Sequence, residues 1–382
     1  MDINPAIYLD YNATTPVAPE VVNEMLPYFL SAYGNPSSND HIMGWQTQEA
    51  VEIARVSIAK SLNTHSNEIF FTAGATEGIN LVLRGLHEGK NRHIITLKSE
   101  HNAVLDTCVD LESLGVRVSY LNVDSNGLID LDELTNSITD QTTLVSVMMV
   151  NNETGVIQPI KEIAEMCKSR GVLFMSDATQ AIGKMPVDTQ ELGIDIMVGS
   201  AHKLYGPKGV GFLYIKDEYA KKLKPIITGG GQERKKRAGT TNVPGIIGMA
   251  KSLELAIELM AEDKDKIELL RNYFEEQLAK ALEINIAAKY AARLYNCSNI
   301  CFKNADSQQI MLAIGSKVAA SRGSACSSDK VEPSHVLTAM GLSEEDTLSS
   351  IRFSLGRYTT QHEVDVALEL IIETVNRLKV AD

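Results

Sequence analysis

Two strand-like runs near the middle of the chain each lead to a residue that could do chemistry. Asp177 directly follows the run 172–176, and Lys203 comes shortly after the run 195–200. In parallel α/β sheets, ligands lie in the crevice beyond the carboxyl ends of the strands. A lysine amine there can form a Schiff base with a carbonyl compound, and an acid can pair with a protonated pyridine nitrogen. The two residues together therefore predict a site for pyridoxal phosphate.

Taken singly, each of these residues also has an ordinary explanation. Asp177 could cap a helix, because aspartate is a common capping residue, and Lys203 could be a solvated loop cation. The rest of the chain must therefore decide between a cofactor site and two unrelated surface features.

A candidate phosphate site lies near the first predicted strand. The segment 71–78, Phe-Thr-Ala-Gly-Ala-Thr-Glu-Gly, follows a strand and opens a helix. Its small residues leave amide groups uncovered at a helix N-terminus, where anions bind favourably. Thr76, Ser200 and His202 could add side-chain donors. The chain has neither a Walker lysine motif nor a G-x-G-x-x-G motif, so a nucleotide site has little support.

Three further polar residues lie at predicted strand ends or turns. His101 follows the predicted strand His93–Leu97, and an imidazole there could stack on an aromatic cofactor and transfer protons, or could simply start a helix. The amide of Asn152, or that of Gln180, could contact a ring oxygen. Turn formation explains the pair Asn151-Asn152 equally well.

Two loops and one arginine complete the candidates. Cys326 lies in the small, polar segment 321–328 beside a cation, an environment that exposes a thiol and favours the thiolate. Arg352 could hold a carboxylate through two parallel hydrogen bonds, or could form a strand-edge ion pair. The glycine-rich, basic turn at 229–240 could close over a phosphate, either within its own chain or from a neighbouring subunit.

The elements that must position these residues alternate between strand and helix from about residue 70 to residue 215. Such alternation predicts an α/β fold whose mostly parallel sheet is flanked by helices on both faces. The predicted strands are Glu68–Phe71, His93–Leu97, Val116–Tyr120, Leu144–Val150, Leu173–Ser176, Ile194–Gly199 and Gly211–Ile215. The predicted helices between them are Glu77–Leu86, Ala103–Leu114 and Ile160–Ser169.

The last third of the chain has a different organisation. A long amphipathic run at 245–282, with alternating charges at 262–266, predicts an exposed helix that links two domains. Beyond it, two short strands and two helical patterns predict a smaller α+β domain. We place the large cofactor-binding domain at 15–260, and the small domain, which carries the cysteine loop, at 1–14 and 261–382. The later elements are Ser298–Phe302, Ser307–Ala313, Ser350–Ser354 and Glu363–Leu378.

Composition excludes several classes of protein. The 382 residues carry a net charge of −13, which argues against a nucleic-acid partner. No apolar run approaches the roughly 18 residues that span a bilayer. The N-terminus lacks the basic and apolar regions of a signal peptide, so we expect a cytoplasmic protein.

The five cysteines predict no disulfide framework. Cys297 and Cys301 lack a second ligand pair for zinc, and we interpret both as core or near-surface thiols.

In combination, the motifs resemble those of the cysteine desulfurases of the iron–sulfur-cluster assembly type. These are fold-type-I pyridoxal-phosphate enzymes of the class V aminotransferase family. The resemblance runs nearly from end to end, through the segments 8–16, 34–37, 74–77, 100–101, 151–153, 200–203, 229–233, 323–326, 332–334 and 352–357.

This resemblance implies that the chain converts L-cysteine to L-alanine and keeps the sulfur as a persulfide on Cys326, for delivery to an iron–sulfur scaffold or another acceptor protein. It implies a homodimer and no resident metal, although the Cys326 sulfur could transiently ligate an iron–sulfur cluster. The resemblance also implies a role for each site residue. Lys203 would form the Schiff base, Asp177 would pair with the pyridine nitrogen, and His101 would stack on the ring and take part in catalysis. The ring oxygen would be contacted by Asn152 and Gln180, the substrate would be bound by Arg352 and Asn152, and the phosphate would be held by Ala75, Thr76, Ser200, His202 and the partner subunit's Thr240.

Three alternatives stay open on the sequence alone. A selenocysteine lyase would share the cofactor site, and an aminotransferase of the same fold would not need Cys326. A non-catalytic scaffold that binds a phosphate ligand would need neither Lys203 nor Cys326.

Overall fold

The computed structural model describes residues 6–86, 92–322 and 332–380. Within these ranges, no helix combines the length and the apolar character that crossing a membrane would need. The strands are β1 (Ile7–Tyr8), β2 (Ile69–Thr72), β3 (His93–Leu97), β4 (Arg117–Leu121), β5 (Thr142–Ser146), β6 (Leu173–Asp177), β7 (Ile196–Ser200), β8 (Gly211–Ile215), β9 (Ile284–Ile286), β10 (Cys297–Phe302), β11 (Val318–Ala319) and β12 (Ser350–Ser354). The helices are α1 (Pro19–Met25), α2 (Pro27–Leu30), α3 (Ile42–Ser61), α4 (Ala75–Gly85), α5 (Asn102–Ser113), α6 (Leu131–Ser137), α7 (Ile160–Ser169), α8 (Asp217–Ala220), α9 (Val243–Glu258), α10 (Met260–Ala281), α11 (Ser307–Ile314), α12 (His335–Ala339), α13 (Glu344–Leu348) and α14 (Gln361–Val380).

A central sheet of seven strands has the order β2-β8-β7-β6-β5-β3-β4. Strand β8 runs antiparallel to β2 and β7, and the remaining pairings are parallel. The predicted α/β fold with a mostly parallel sheet is therefore confirmed. Because β6 and β7 are neighbours, with Asp177 opposite Val198, the ends of these two strands lie side by side.

Helices cover both faces of this sheet, because successive strand residues point to opposite sides. Phe70 packs with residues of α4 and α5 on one face. Its neighbour Phe71 packs with residues of α3, α7 and α9 on the other face. With both faces covered, every residue of β3 and of β8 is buried, which explains why these strands are mainly apolar.

A second, smaller sheet forms from the C-terminal part of the chain. Strand β10 pairs antiparallel with β9 and with β12, so that Asn299 lies opposite Arg352. The N-terminal strand β1 pairs in parallel with β11. Residues Ile7 and Tyr8 therefore pack against the C-terminal part.

Two predicted elements differ from the structure. The predicted strand Leu144–Val150 ends at Ser146, since the amide of Met148 donates to the Glu100 carboxylate (2.7 Å) in place of a neighbouring strand. The run 245–282 forms two helices, α9 and α10, which meet at Leu259, where ψ is 2°. Most of the charged residues at 262–266 are exposed as predicted, but Asp263 is buried against Arg357.

Four cysteines, Cys108, Cys167, Cys297 and Cys301, are buried and free. The interpretation of Cys297 and Cys301 as core or near-surface thiols is thereby confirmed. Burial raises the pKa of the Cys297 thiol to about 11, which keeps that thiol protonated at neutral pH.

Candidate active site

A cavity of about 910 Å³ opens at the carboxyl edge of the central sheet. Most of the predicted site residues line it: Ala75, Thr76, His101, Asn152, Asp177, Gln180, Ser200, His202, Lys203 and Arg352. Thr240 is exposed and is not among the residues that line this cavity. Cys326 lies in the segment 323–331, outside the described residues.

Lys203 ends the short 3₁₀ turn Ala201–Lys203 that follows β7. Its Nζ donates to the backbone carbonyl oxygens of Asn12 (2.5 Å) and Ala13 (2.7 Å). The N-terminal segment thus holds the amine at the cavity wall. An amine in this position can react with a carbonyl compound in the cavity.

Asp177 is the last residue of β6 and is buried. Its Oδ1 accepts a hydrogen bond from the amide of Thr179 (2.9 Å), so the carboxylate does cap the next turn. The same residue lines the cavity beside Lys203. The capping role and the cavity position are therefore compatible.

His101 has a similar double position. Its Nδ1 accepts from the amide of Ala103 (3.0 Å) and so caps the N-terminus of α5. In the neutral ring this leaves the proton on Nε2. Burial, helped by the positive charge of Lys203, lowers the pKa of His101, while Asp177 opposes this shift. The ring is consequently neutral at pH 7.

A buried carboxyl group, which the sequence did not single out, lies next to His101. Glu100 is fully buried and accepts from Met148 through Oε1, and its Oε2 has no partner among the described residues. Burial, together with the charge of Asp177, raises the pKa of Glu100 well above its usual value. Burial therefore favours the protonated form of this carboxyl group.

The wall that we predicted to bind a phosphate is built by the start of α4, by the end of β7 and by the turn that follows β7. The first amides of α4 lie at the cavity, near Ser200 and His202. A Cβ on Gly211 would lie 2.7 Å from the Cα of Gly74, so the turn before α4 packs directly on the backbone of β8. Burial and the charge of Lys203 lower the pKa of His202 to about 4, so this imidazole is neutral.

Arg352 reaches the cavity from β12. Its Nη2 donates to Asp10 (2.7 Å) and its Nη1 to the carbonyl oxygen of Asn152 (3.1 Å). The buried Nε has no partner in the described part of the chain. Arg352 therefore forms the ion pair that was its ordinary interpretation and also places a cation at the site.

Asn12 is a structural centre of the site that the sequence analysis did not single out. Its side chain donates to the carbonyl oxygen of Asn152 (3.1 Å) and accepts from Asn296 (2.9 Å). The backbone amide of Asn12 donates to the hydroxyl of Ser354 (2.8 Å). Asn12 belongs to the segment 8–16 that carries part of the family resemblance, and this was the only available signal.

The basic turn at 229–240 uses its charges within the chain. The Arg234 guanidinium lies 4.0 Å from the centre of the Phe70 ring and donates to the carbonyl of Ile69. Arg237 forms an ion pair with Glu77 of α4 (2.9 Å). Neither arginine lines the cavity of its own chain, so these two side chains do not close over a phosphate in that cavity.

Comparison with known proteins gives a consistent result. Residues 7–367 match the class-V aminotransferase family. The cysteine desulfurase IscS of Rickettsia massiliae (strain Mtu5) is 45% identical over 377 residues, which cover 98% of this chain and 92% of that protein. The cysteine desulfurase IscS of Rickettsia bellii (strain OSU 85-389) is 46% identical over 377 residues, with the same coverage.

Solved structures agree with these sequence matches. A NifS-like protein superposes with a TM-score of 0.92 at 38% identity, over 98% of this chain and 100% of that one. The protein SspA in complex with cysteine superposes with a TM-score of 0.81 at 34% identity, over 92% of this chain and 99% of that one.

Proposed function

The chain belongs to the class-V aminotransferase family, and from that premise we propose that it is a cysteine desulfurase. It converts L-cysteine to L-alanine and transfers the sulfur to an enzyme cysteine as a persulfide. The observation that carries this proposal is the meeting of Lys203, Asp177 and Arg352 at one cavity. Relatives at about 45% identity over nearly the whole chain have the same activity in their names.

We propose pyridoxal 5′-phosphate as the cofactor, because the donor set of the cavity fits it. The amine of Lys203 suits its aldehyde, and the acid at Asp177 suits its ring nitrogen. Ala75, Thr76, Ser200 and His202 would hold the phosphate, His101 would stack on the ring, and Asn152 and Gln180 would contact the ring oxygen. When bound, the cofactor supplies a carbonyl for amines and a ring that stores the electron pair released at Cα.

The residues of the chain then have separate tasks. Arg352 binds the substrate carboxylate, with Asn152 beside it. The Lys203 amine removes the proton from the substrate Cα. The Cys326 thiolate attacks the substrate sulfur, so that an S–S bond forms, the C–S bond breaks, and the carbon keeps the electron pair and is protonated to give alanine.

The residues on either side of the cysteine segment are anchored close to the cavity, which supports the proposal that Cys326 can contact the substrate. Before the segment, the backbone of Ser321 pairs with that of Arg352. After the segment, the hydroxyl of Ser334 donates to the carboxylate of Glu153 (2.6 Å), and Nε2 of His335 donates to the backbone carbonyl of Glu100 (2.8 Å). Because both flanks are anchored beside residues of the cavity, we propose that Cys326 lies within reach of the substrate sulfur.

We further propose a cytoplasmic homodimer that delivers sulfur to an iron–sulfur scaffold or another acceptor protein. The exposure of Thr240, outside its own cavity, supports a role at the phosphate of the partner subunit. Pairing of β1 with β11 supports the division into a large domain at 15–260 and a small domain at 1–14 and 261–382.

The experiment that tests this function is borohydride reduction of the cofactor-loaded protein, followed by peptide mass spectrometry. We expect the reduced adduct on Lys203 and not on Lys208, which also lines the cavity. Lys203→Ala should lose the visible absorbance of the bound cofactor, whereas Lys208→Ala should keep it.

A second assay measures alanine and persulfide formed from L-cysteine. Cys326→Ala should retain the absorbance but produce neither compound, and Cys108→Ala serves as a control because Cys108 is buried. Normal turnover by Cys326→Ala would rule out the persulfide role. Amino transfer to a keto acid by that variant would indicate an aminotransferase, and a strong preference for selenocysteine would indicate a lyase.

A further inference from the structure

A buried lysine that the proposed reaction does not use lies behind the cavity. Lys184 is only 9% exposed and follows Gln180 by four residues, in the turn after β6. Gly183 makes this turn possible, since it has a φ of +75° and a Cβ there would lie 2.8 Å from the Cβ of Ala256. The Nζ of Lys184 donates to Oε1 of Gln180 at 2.8 Å.

Within the described part of the chain, no carboxylate forms an ion pair with this buried amine. The charged groups that act on it include Lys203 and Arg352, both positive. Burial is the main reason that the pKa of Lys184 falls to about 7. Burying a lysine without an acid is costly, so a lysine here indicates a specific task.

The contacts of Gln180 indicate what that task is. A carboxamide can be turned by 180°, which exchanges its oxygen and its NH₂ group. The carbonyl oxygen of Asn12 can only accept, and it receives a hydrogen bond from Nε2 of Gln180 at 3.0 Å. Lys184 donates to the other end of the same amide. Both neighbours therefore select a single orientation.

In this orientation Gln180 keeps one amide hydrogen that is not used by Asn12. Gln180 is buried and lines the cavity, so this N–H is the donor that it can offer to a ligand. A donor suits an anionic oxygen, whereas the amide oxygen in the same place would repel one.

We propose that Lys184 is a positioning residue, which holds the Gln180 amide so that it donates to the anionic ring oxygen of the bound cofactor. This inference rests on the proposed function and deepens it. Lys184 itself does not touch the cofactor in this arrangement, and it acts only through Gln180.

A double-mutant cycle tests this inference. Lys184→Met, Gln180→Ala and the double variant are prepared without cofactor, and the Kd for pyridoxal phosphate is measured by absorbance titration. Lys184→Met should weaken binding about three- to tenfold in the wild-type background, as expected for the loss of one hydrogen bond. In the Gln180→Ala background it should change the Kd by less than about twofold, because the residue through which it acts is gone.

The cofactor-free melting temperature of each variant shows whether the protein folds. If Lys184→Met does not fold, Lys184→Gln replaces it in the same cycle, and its amide should restore part of the affinity. An equal effect in both backgrounds, or no effect in either, would refute the positioning role. Neither result would affect the proposed function, which is tested separately by the adduct at Lys203 of the unmodified protein and by the turnover of Cys326→Ala.

Discussion

At the residue scale, several side chains of the site form a structural bond and also line the cavity. Asp177 and His101 each cap the segment that follows them, and Arg352 pairs with Asp10. These contacts fix each side chain before a ligand arrives, which lowers the cost of ordering the site on binding. The structural interpretation of Asp177, His101 and Arg352 is therefore confirmed, and it is compatible with the proposed functional role of each residue.

The guanidinium of Arg352 allows a prediction about substrate binding. Arg352→Lys keeps the charge but loses the planar pair of donors, so we expect KM for L-cysteine to rise about tenfold or more. The absorbance of the bound cofactor should remain. Steady-state kinetics measure the effect, and Arg357→Lys is the control, because Arg357 pairs with Asp263 and does not line the cavity. A fall in kcat at unchanged KM would contradict the carboxylate role.

At the scale of elements, a buried carboxylate joins the glycine-rich turn to the central sheet. Glu233 accepts from the amide of Phe71 in β2 (2.8 Å) and pairs with Arg55 of α3 (2.8 Å). The residues Glu233, Arg234 and Lys235 have positive φ values of 44°, 54° and 66°. Such a backbone is unfavourable for residues with side chains, so the Glu233 contacts must hold it in place.

We expect Glu233→Ala to reduce the free energy of unfolding by about 2–4 kcal/mol, because Arg55 is buried and would keep only the half-exposed Glu52 as an ion-pair partner among the described residues, beside the carbonyl of Ile69. Denaturant unfolding of the cofactor-free protein measures this loss. The matched control is Glu218→Ala, an exposed residue, which should change stability by less than about 0.5 kcal/mol. An unchanged midpoint for Glu233→Ala would show that the turn does not depend on this carboxylate.

At the scale of the whole molecule, apolar side chains are exposed on neighbouring N-terminal helices. Helices α1, α2 and α3 all contact α9. Among their exposed side chains are Phe29, Leu30 and Ile53. Exposed apolar groups in such number favour an interface with another protein. Together with the exposed Thr240, this surface supports the proposed homodimer.

Leu30 is 69% exposed, and Leu30→Asp should therefore shift the protein from dimer to monomer. The shift should also weaken cofactor binding, since the partner subunit's Thr240 would be lost from the phosphate. Light scattering after size-exclusion chromatography measures the oligomeric state. Leu312→Asp is the control, because Leu312 is 78% exposed on α11, away from these helices. A monomeric wild-type protein, or an unchanged dimer for Leu30→Asp, would refute this interface.

The sequence by itself determined the class of the fold and the identity of the reactive groups. Strand periodicity and residue type are local properties, so the ends of β6 and β7 could be predicted with Asp177 and Lys203 placed on them. The alternation of strands and helices likewise predicted the mostly parallel sheet. The resemblance added Cys326, whose segment lies outside the described residues.

Only the tertiary structure decided which residues support those groups. Asn12 contacts Asn152, Asn296 and Ser354, and no local period relates positions so far apart in the chain. Strand β5 ends earlier than predicted, because the amide of Met148 donates to the carboxylate of Glu100 from another loop. The sequence analysis did not single out Lys184, and only packing shows that it is buried against Gln180. Such contacts depend on how elements meet in space, which local sequence patterns do not encode.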